Sequence, residues 1–146
     1  MYLDSAIIVK LLVVEPDTKL LVQGLIGEPL SSSELATVEV ISALFRKERE
    51  RVITAAERVV AWEEFQRRVG AGEIVLHPFN PALLNRARHI LERCHPAVPL
   101  RSLDAIHTAT CDLSQDFPLC TTDKRMRDAA GVLGIPIFPA DESPNP

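Results

Sequence analysis

Short apolar segments alternate with longer segments of helical periodicity along nearly the whole chain. Such alternation is typical of βαβ units, in which successive strands run parallel and the connecting helices cross over the sheet with right-handed geometry. We therefore predict an α/β fold, with a mostly parallel central sheet that is flanked by helices on both faces. The predicted strands cover residues 2–3, 29–31, 74–76, 118–121 and 135–138.

Capping signals mark the ends of several predicted helices. Thr54 opens a capping box, Asn80 stands before a proline at a helix start, and Gly134 follows the last helical segment. Ser5 and Ser102 are the predicted N-caps of two further helices. The predicted helices run from Ser5 to the proline at 16 and over residues 17–27, 34–51, 54–70, 81–94, 102–112 and 124–133.

The long helix over residues 34–51 is preceded by serines and carries apolar residues at helical spacing. We predict that Ser32 and Ser33 form its capping region. Its predicted apolar face consists of Leu35, Val38, Ser42 and Phe45, widened by Val40, Ile41 and Leu44, and Glu39 lies on its buried side.

The chain of 146 residues is sized for one domain, which we place at residues 1–138 and follow with a flexible proline-rich tail at residues 139–146. The formal net charge of −4 argues against a generally basic nucleic-acid-binding surface, so an anionic ligand has to be met by a local basic patch. No apolar run reaches the ~18 residues of a membrane span, and no secretory-signal pattern opens the chain. We expect a cytoplasmic protein without a membrane partner.

The cysteines are three in number and lack close spacing, which fits free thiols in a reducing compartment better than a disulfide framework. A zinc site built from Cys94, His95, His107 and Cys111 is an alternative, since His107 and Cys111 are four residues apart on one predicted helix. That alternative lacks the C-x2-C pair that is common in zinc sites.

Four acidic residues occupy places where a carboxylate is costly. Asp4 and Asp123 come at the ends of predicted strands. Asp104 lies early in a largely apolar helix, and Glu39 lies among the apolar residues of another. Helix capping explains Asp104 or Asp123 taken singly. Because the carboxyl ends of parallel strands meet at one edge of a sheet, we expect the four side chains to converge there.

A convergence of carboxylates predicts a bound cation. Each pair of charges about 4 Å apart repels by ~1–4 kcal/mol at surface-like dielectric constants, so the group has to be protonated or bound to a cation. Oxygen-only ligands select hard ions such as Mg2+ or Mn2+, which also bind substrate phosphates. The expected chemistry is metal-assisted phosphodiester hydrolysis, in which one ion makes hydroxide from water and the same or a second ion stabilises the leaving oxygen.

Four segments resemble the signature segments of PIN-domain nucleases, in order and at the usual intervals. They are residues 1–6 (MYLDSA), residues 33–35 (SEL) leading to Glu39, residues 103–107 (LDAIH) and residues 121–123 (TTD). The resemblance spans nearly the whole chain and is greatest to the VapC-type toxins of toxin–antitoxin pairs. It implies a Mg2+- or Mn2+-dependent endoribonuclease that leaves 5'-phosphate and 3'-hydroxyl ends, forms a homodimer, and is held inactive by a cognate VapB-like antitoxin.

The same resemblance implies roles for individual residues. The acidic catalytic and metal-site residues would be Asp4, Glu39, Asp104 and Asp123. Ser5 would lie near the first ion, and Thr121 would orient Asp123.

Basic residues that flank the acids are the predicted RNA contacts, with ordinary solvated charges as the alternative. They are Arg46, Lys47, Lys124, Arg125 and also Arg127. His107 comes one helical turn after Asp104 and either contacts it or packs in the core. We also expect a partner protein to cover the groove between the second helix and the helix over residues 34–51.

Other Mg2+-dependent phosphohydrolases fit the sequence less well. A haloacid-dehalogenase-like phosphatase needs an aspartate two residues after Asp4, where Ala6 stands, and a response-regulator receiver needs paired acids before its phospho-acceptor. An alternative of a different class is a catalytically weak PIN-like module that binds RNA or protein, against which the presence of all four acids argues.

Overall fold

The computed structural model describes residues 1–13 and 18–140. Its strands are β1 (Tyr2–Leu3), β2 (Leu30–Ser33), β3 (Ile74–His77), β4 (Leu119–Cys120) and β5 (Ile137–Phe138). They form one all-parallel sheet in the order β3-β2-β1-β4-β5. The chain first builds the sheet outward on one side of β1 and then on the other, so the strand order reverses between β1 and β4. In open α/β sheets the crevice at the carboxyl ends of two such strands is the usual place for a ligand.

Helices connect the strands as the alternating pattern predicts. They are α1 (Ser5–Leu12), α2 (Thr18–Leu25), α3 (Ala36–Arg49), α4 (Ala55–Gly70), α5 (Pro81–Cys94), α6 (Ser102–Ser114) and α7 (Lys124–Leu133). Three capping predictions are confirmed: Thr54 forms a capping box, Asn80 caps α5, and Gly134 ends α7 in the left-handed region. The predicted start of the second helix at residue 17 lies outside the described residues.

Side chains of the two central strands alternate between the faces of the sheet. Tyr2 and Leu119 are register partners and lie in a core with residues of α6 and α7. The next pair, Leu3 and Cys120, lies in the opposite core with residues of α1 to α4. All four side chains are fully buried. The predicted sheet covered on both faces is therefore confirmed, and β1 and β4 emerge from a rigid centre.

The strand β2 is longer than predicted because its serines suit a buried strand. Ser32 donates its hydroxyl hydrogen to the carbonyl oxygen of Leu3 at 2.8 Å, and Ser33 pairs in register with His77 of β3. A hydroxyl with a bonded partner can be buried at little cost. The prediction that these serines cap a helix starting at residue 34 is wrong, since α3 begins at Ala36 and has no side-chain cap.

The predicted buried face of α3 is confirmed for Val40 and Leu44 and wrong for Val38 and Phe45. The structure buries Ala36, Val40 and Leu44, whereas Val38 is 66% exposed and Phe45 44% exposed. Both sets of residues have helical spacing, so the period alone could not choose between them. Packing against α1 and α4 makes the choice, and it leaves Val38 facing a groove beside α1.

The end of the predicted domain carries the edge strand β5. Just beyond it, the carbonyl oxygen of Pro139 accepts a hydrogen bond from Nη2 of Arg127 at 2.9 Å. Most of the predicted tail, from residue 141 onward, lies outside the described residues, and the division at residue 138 stays a prediction. In the described part of the chain no helix is long and apolar enough to cross a membrane.

Candidate active site

Asp4 follows β1 directly, and its side chain caps helix α1. Its Oδ1 accepts the backbone N–H of Ile7 at 2.8 Å, and its Oδ2 accepts the hydroxyl hydrogen of Thr121. Burial raises the pKa of this carboxyl, because the residue is only 3% exposed, and the two hydrogen bonds oppose that shift. The N-cap is thus Asp4 and not Ser5, whose hydroxyl donates instead to Oε2 of Glu39.

Thr121 and Asp123 follow β4, the neighbour of β1 at the switch point. The buried hydroxyl of Thr121 donates to Asp4 and accepts the backbone N–H of Asp123 at 3.0 Å, so it joins the ends of both strands. Asp123 caps α7 through Oδ1, which accepts the backbone N–H groups of Arg125 and Met126 at 2.8 and 3.2 Å. The structure therefore places the Thr121 hydroxyl on the carboxylate of Asp4 and on the main chain of Asp123, rather than on the Asp123 side chain.

Asp104 lies in the first turn of α6, and its carboxylate accepts a hydrogen bond from the backbone at the start of that helix. Its Oδ2 accepts the backbone N–H of Arg101 at 3.2 Å. Ser102, the predicted N-cap, is instead the first helical residue, after the N-cap residue Arg101. Burial raises the pKa of Asp104, the bond from Arg101 lowers it, and the negative charge of Asp123 adds to the rise. The same charge raises the pKa of Asp4, so these three acids share one electrostatic environment.

Glu39 reaches the site from α3 and is held by two side chains. Its Oε2 accepts hydrogen bonds from the Ser5 hydroxyl at 2.5 Å and from Nε2 of His107 at 2.6 Å. Burial alone would raise the pKa of Glu39, but the hydrogen bonds that it accepts from His107 and from Ser5 outweigh burial and lower it. Glu39 is thereby kept ionised at neutral pH.

The two alternatives for His107 were contact with Asp104 and packing in the core. The structure packs the ring in the core, where it contacts Glu39 and Tyr2. The ring is buried, and its Nδ1 lies 2.7 Å from the Tyr2 hydroxyl. Tyr2 was not among the predicted site residues, because a tyrosine in a two-residue strand is normally predicted to be a core residue. The signal that could have found it is position: Tyr2 lies two residues before Asp4, on a strand that ends at the site.

The acids are not gathered into a ready-made ligand group. Among residues 1–13 and 18–140, no three His, Cys, Asp or Glu side chains are placed to hold a metal ion. The expected convergence of all four carboxylates is therefore not seen, because each is bonded to a donor of its own. The zinc alternative fails by the same observation, and both ring nitrogens of His107 are already bonded.

The donor set nevertheless fits a hard divalent cation. Hydrogen bonds within the described residues reach Oδ2 of Asp104, Oδ1 of Asp123 and Oε2 of Glu39. The second carboxylate oxygen of each of these acids accepts no hydrogen bond within that part of the chain. Negatively charged oxygens without protein donors are the ligands that Mg2+ and Mn2+ prefer.

A groove of about 710 Å3 adjoins the site between α1 and α3. Ser5 and Glu39 line it together with apolar residues such as Val38, and the basic residues Arg46 and Lys47 line it as well. The groove expected from the sequence lay between the second helix and α3, whereas this groove lies between α1 and α3. An anionic chain in this groove would meet positive charge next to Glu39.

The three basic residues of α7 differ in what they contact. Nζ of Lys124 lies 2.8 Å from the carboxylate of Asp128, so its charge is partly neutralised. Arg125 is half-buried, and its charge helps to lower the pKa of Asp104. Arg127 donates to the carbonyl oxygen of Thr121 at 2.9 Å and is anchored to the main chain, which argues against the predicted RNA contact for it.

Comparison with known proteins agrees with this geometry. The family model of the PIN domain matches residues 1–132. Ribonuclease VapC46 of Mycobacterium tuberculosis (strain ATCC 25618 / H37Rv) is 38% identical over 142 residues, which cover 94% of this chain and 95% of that protein. The crystal structure of FitAcB from Neisseria gonorrhoeae has a similar fold, with a TM-score of 0.65 at 17% identity over 94% of this chain and 95% of that one. The chain therefore belongs to the PIN-domain family, in which its sequence groups it with the VapC proteins.

Proposed function

We propose that the protein is a Mg2+- or Mn2+-dependent endoribonuclease that acts as the toxin of a VapBC-type pair. A relative that matches nearly the full length bears the name ribonuclease, which supports RNA as the substrate. The observation that carries the proposal is the acidic site at the switch point of the sheet. There one hydroxyl, that of Thr121, ties the buried Asp4 to the start of α7 at Asp123.

The open oxygens of Asp104, Asp123 and Glu39, with Asp4, would hold the ion. PIN-domain VapC ribonucleases depend on a divalent metal, and the oxygen donors together with a phosphate substrate favour Mg2+ or Mn2+. When bound, such an ion supplies positive charge that acidifies water and stabilises the charge developing on the phosphate.

The protein's own residues hold Asp4 and Glu39 in place and favour the charged form of Glu39. Thr121 and the backbone of Ile7 fix both oxygens of Asp4, and Ser5 and His107 fix one oxygen of Glu39. His107 has no ring nitrogen left to accept a proton from water. A histidine general base is therefore not part of the proposal.

Hydrolysis by water determines the ends of the products. The water oxygen attacks phosphorus, the bond from phosphorus to the 3'-oxygen breaks, and that oxygen leaves with a proton. The products are a 5'-phosphate and a 3'-hydroxyl. A reaction that used the RNA 2'-hydroxyl as nucleophile would leave a cyclic phosphate instead.

The RNA would approach along the groove between α1 and α3. Arg46 and Lys47 line this groove beside Glu39, whereas Lys124 and Arg125 lie on α7 beyond Asp123. Contacts to phosphates position a strand without reading its sequence. The local charge offsets the net charge of −4, and cleavage should weaken as salt is raised.

The proposed partners are a VapB-like antitoxin and a second copy of the chain. The antitoxin is supported by VapC membership, and the groove beside α1 has the size and mixed lining that a partner segment would need. Homodimerisation is supported by large apolar side chains exposed on β3, α5, α6 and the loop between β3 and α5: Val75, Phe79, Leu84 and Leu113. A cytoplasmic location is supported by three free, buried cysteines.

The test is cleavage of total cellular RNA by the purified protein with Mg2+, with Mn2+ and with chelator. Cleavage that needs the metal and is absent in Asp104→Asn supports the proposal. Equal cleavage by the parent protein and by Asp104→Asn would refute the proposal. RNA binding without cleavage at any metal concentration would favour the binding-module alternative.

A further inference from the structure

We propose that His107 is a positioning residue that acts on the metal site through Glu39, with the Tyr2 hydroxyl holding the other ring nitrogen of His107 in place. The inference rests on the proposed metal site and adds a residue to it. It stands on a chain of two contacts that joins three side chains, from Tyr2 on β1 through His107 on α6 to Glu39 on α3.

The direction of the hydrogen bonds follows from the chemistry of the groups. An ionised carboxylate only accepts, so the 2.6 Å contact requires a hydrogen on Nε2 of His107. In the neutral ring, Nδ1 is then the acceptor, and the Tyr2 hydroxyl donates to it at 2.7 Å. A tyrosine hydroxyl keeps its hydrogen at neutral pH and can donate it. The three groups thus form a polarised chain from Tyr2 to Glu39.

This chain determines which oxygen of Glu39 a ligand can use. Ser5 and His107 both donate to Oε2, so the carboxylate cannot rotate without losing two bonds. Hydrogen bonds to a charged group are stronger than those to a neutral one, so the held orientation is strongly preferred. Oε1 is left as the oxygen that faces an ion. Glu39 would therefore bind through one oxygen.

A purely structural role for His107 would predict something different. The ring of His107 packs edge-on against the ring of Tyr2, with centroids 5.9 Å apart. If packing were its whole contribution, an apolar residue of similar size would replace it without effect on the metal. If the donor is what matters, the replacement must carry an N–H at the place of Nε2. Glutamine can place its amide nitrogen there, whereas leucine cannot.

The experiment measures Mn2+ binding by calorimetry for the parent protein, His107→Leu, His107→Gln and Asp104→Asn, with thermal unfolding of each metal-free protein as a check of folding. Loss of a group that holds a metal ligand usually weakens binding about 10–100-fold. We expect a loss in that range for His107→Leu and a return to within about threefold of the parent for His107→Gln, which restores the donor.

A double-mutant cycle with Glu39→Gln separates action through Glu39 from a general effect. In the Glu39→Gln background, His107→Leu should change Mn2+ affinity by less than about twofold, because its target carboxylate is gone. The proposal would be overturned if His107→Leu weakened Mn2+ binding as much in the Glu39→Gln background as it does in the parent. It would also be overturned by a His107→Leu protein that binds Mn2+ as tightly as the parent.

Tyr2→Phe and Asp104→Asn show whether an unexpected result concerns folding, the role of His107 or the metal site itself. If His107→Leu does not fold, Tyr2→Phe removes one hydroxyl and keeps the packing, and unchanged Mn2+ affinity in Tyr2→Phe would overturn the proposal. If Asp104→Asn binds Mn2+ like the parent, or the parent binds none, the proposed metal site itself fails. If Asp104→Asn loses binding while the His107 variants do not, only the role of His107 fails.

Discussion

The hydroxyl of Thr121 is the contact that ties the buried carboxylate of Asp4 to the end of β4, so Thr121→Val probes the centre of the site. Valine has nearly the same shape, and the position is fully buried. The change removes one hydrogen bond to a charged group, worth about 1.5–3 kcal/mol, and one from the backbone N–H of Asp123, worth about 0.5–1.5 kcal/mol. We expect the free energy of unfolding at neutral pH to fall by about 2–4 kcal/mol.

The loss of unfolding free energy in Thr121→Val should be larger at neutral pH than at acidic pH. Burial has raised the folded-state pKa of Asp4 above the unfolded value, and the Thr121 bond lowers it by favouring the ionised form. In Thr121→Val the pKa rises further. The two proteins then differ most above the folded-state pKa of Asp4, and the difference shrinks as pH falls through that pKa, because protonated Asp4 no longer needs a donor.

The assay is urea unfolding of the metal-free proteins between pH 4 and pH 8, followed by fluorescence of the one tryptophan, Trp62. Thr108→Val is the matched control, since Thr108 is equally buried and donates to a neutral carbonyl oxygen at 2.8 Å. The control should lose about 0.5–1.5 kcal/mol at every pH. A Thr121→Val loss that is constant across this pH range, or no larger than that of the control, would refute the reasoning.

Three further predictions concern packing, metal and substrate. Gly24→Ala would place a Cβ against the ring of Phe138, closer than atoms can pack, and should cost about 1–3 kcal/mol by urea unfolding. Gly131→Ala in α7 meets nothing within 4 Å and should instead stabilise by about 0.4–1 kcal/mol, and equal effects would contradict both. Mn2+ at 100 times its Kd should stabilise the parent by about 2.7 kcal/mol in thermal unfolding, and no shift is expected for Asp104→Asn. Arg46→Ala should raise KM for RNA and leave kcat unchanged, whereas a fall in kcat alone would place Arg46 in the chemistry instead.

The alternation of strands and helices was enough to predict the sheet, because parallel strands joined by crossover helices leave few arrangements. The caps at Thr54, Asn80 and Asp123 were readable because they depend on neighbours within one helical turn. The face of α3 could be predicted only in part, since the predicted apolar face included the buried Val40 and Leu44 but also the exposed Val38. Val38 and Val40 are equally apolar, and only the packing of α1 and α4 decides which is buried.

The acids of the site could be found from the sequence, but not their bonds. Asp4 and Asp123 were recognisable from their place after strands. The partner of His107 was not, since Glu39 is 68 residues away in the chain. The partner that the spacing offered, as an alternative to packing in the core, was Asp104, one turn away on the same helix. Local spacing favours near contacts, while the packing of α6 against the sheet turns this ring toward Tyr2 and α3 instead.

The central claim is that this acidic site directs water, and not the 2'-hydroxyl of RNA, against a phosphodiester. Its most direct test is the chemistry of the ends left by cleavage in Mn2+, read by whether the 3' fragments ligate without prior phosphorylation and whether the 5' fragments can be extended. The account predicts 5'-phosphate and 3'-hydroxyl ends that are absent in Asp4→Asn. Cyclic 2',3'-phosphates with 5'-hydroxyl ends, or cleavage that persists in Asp4→Asn, would contradict it.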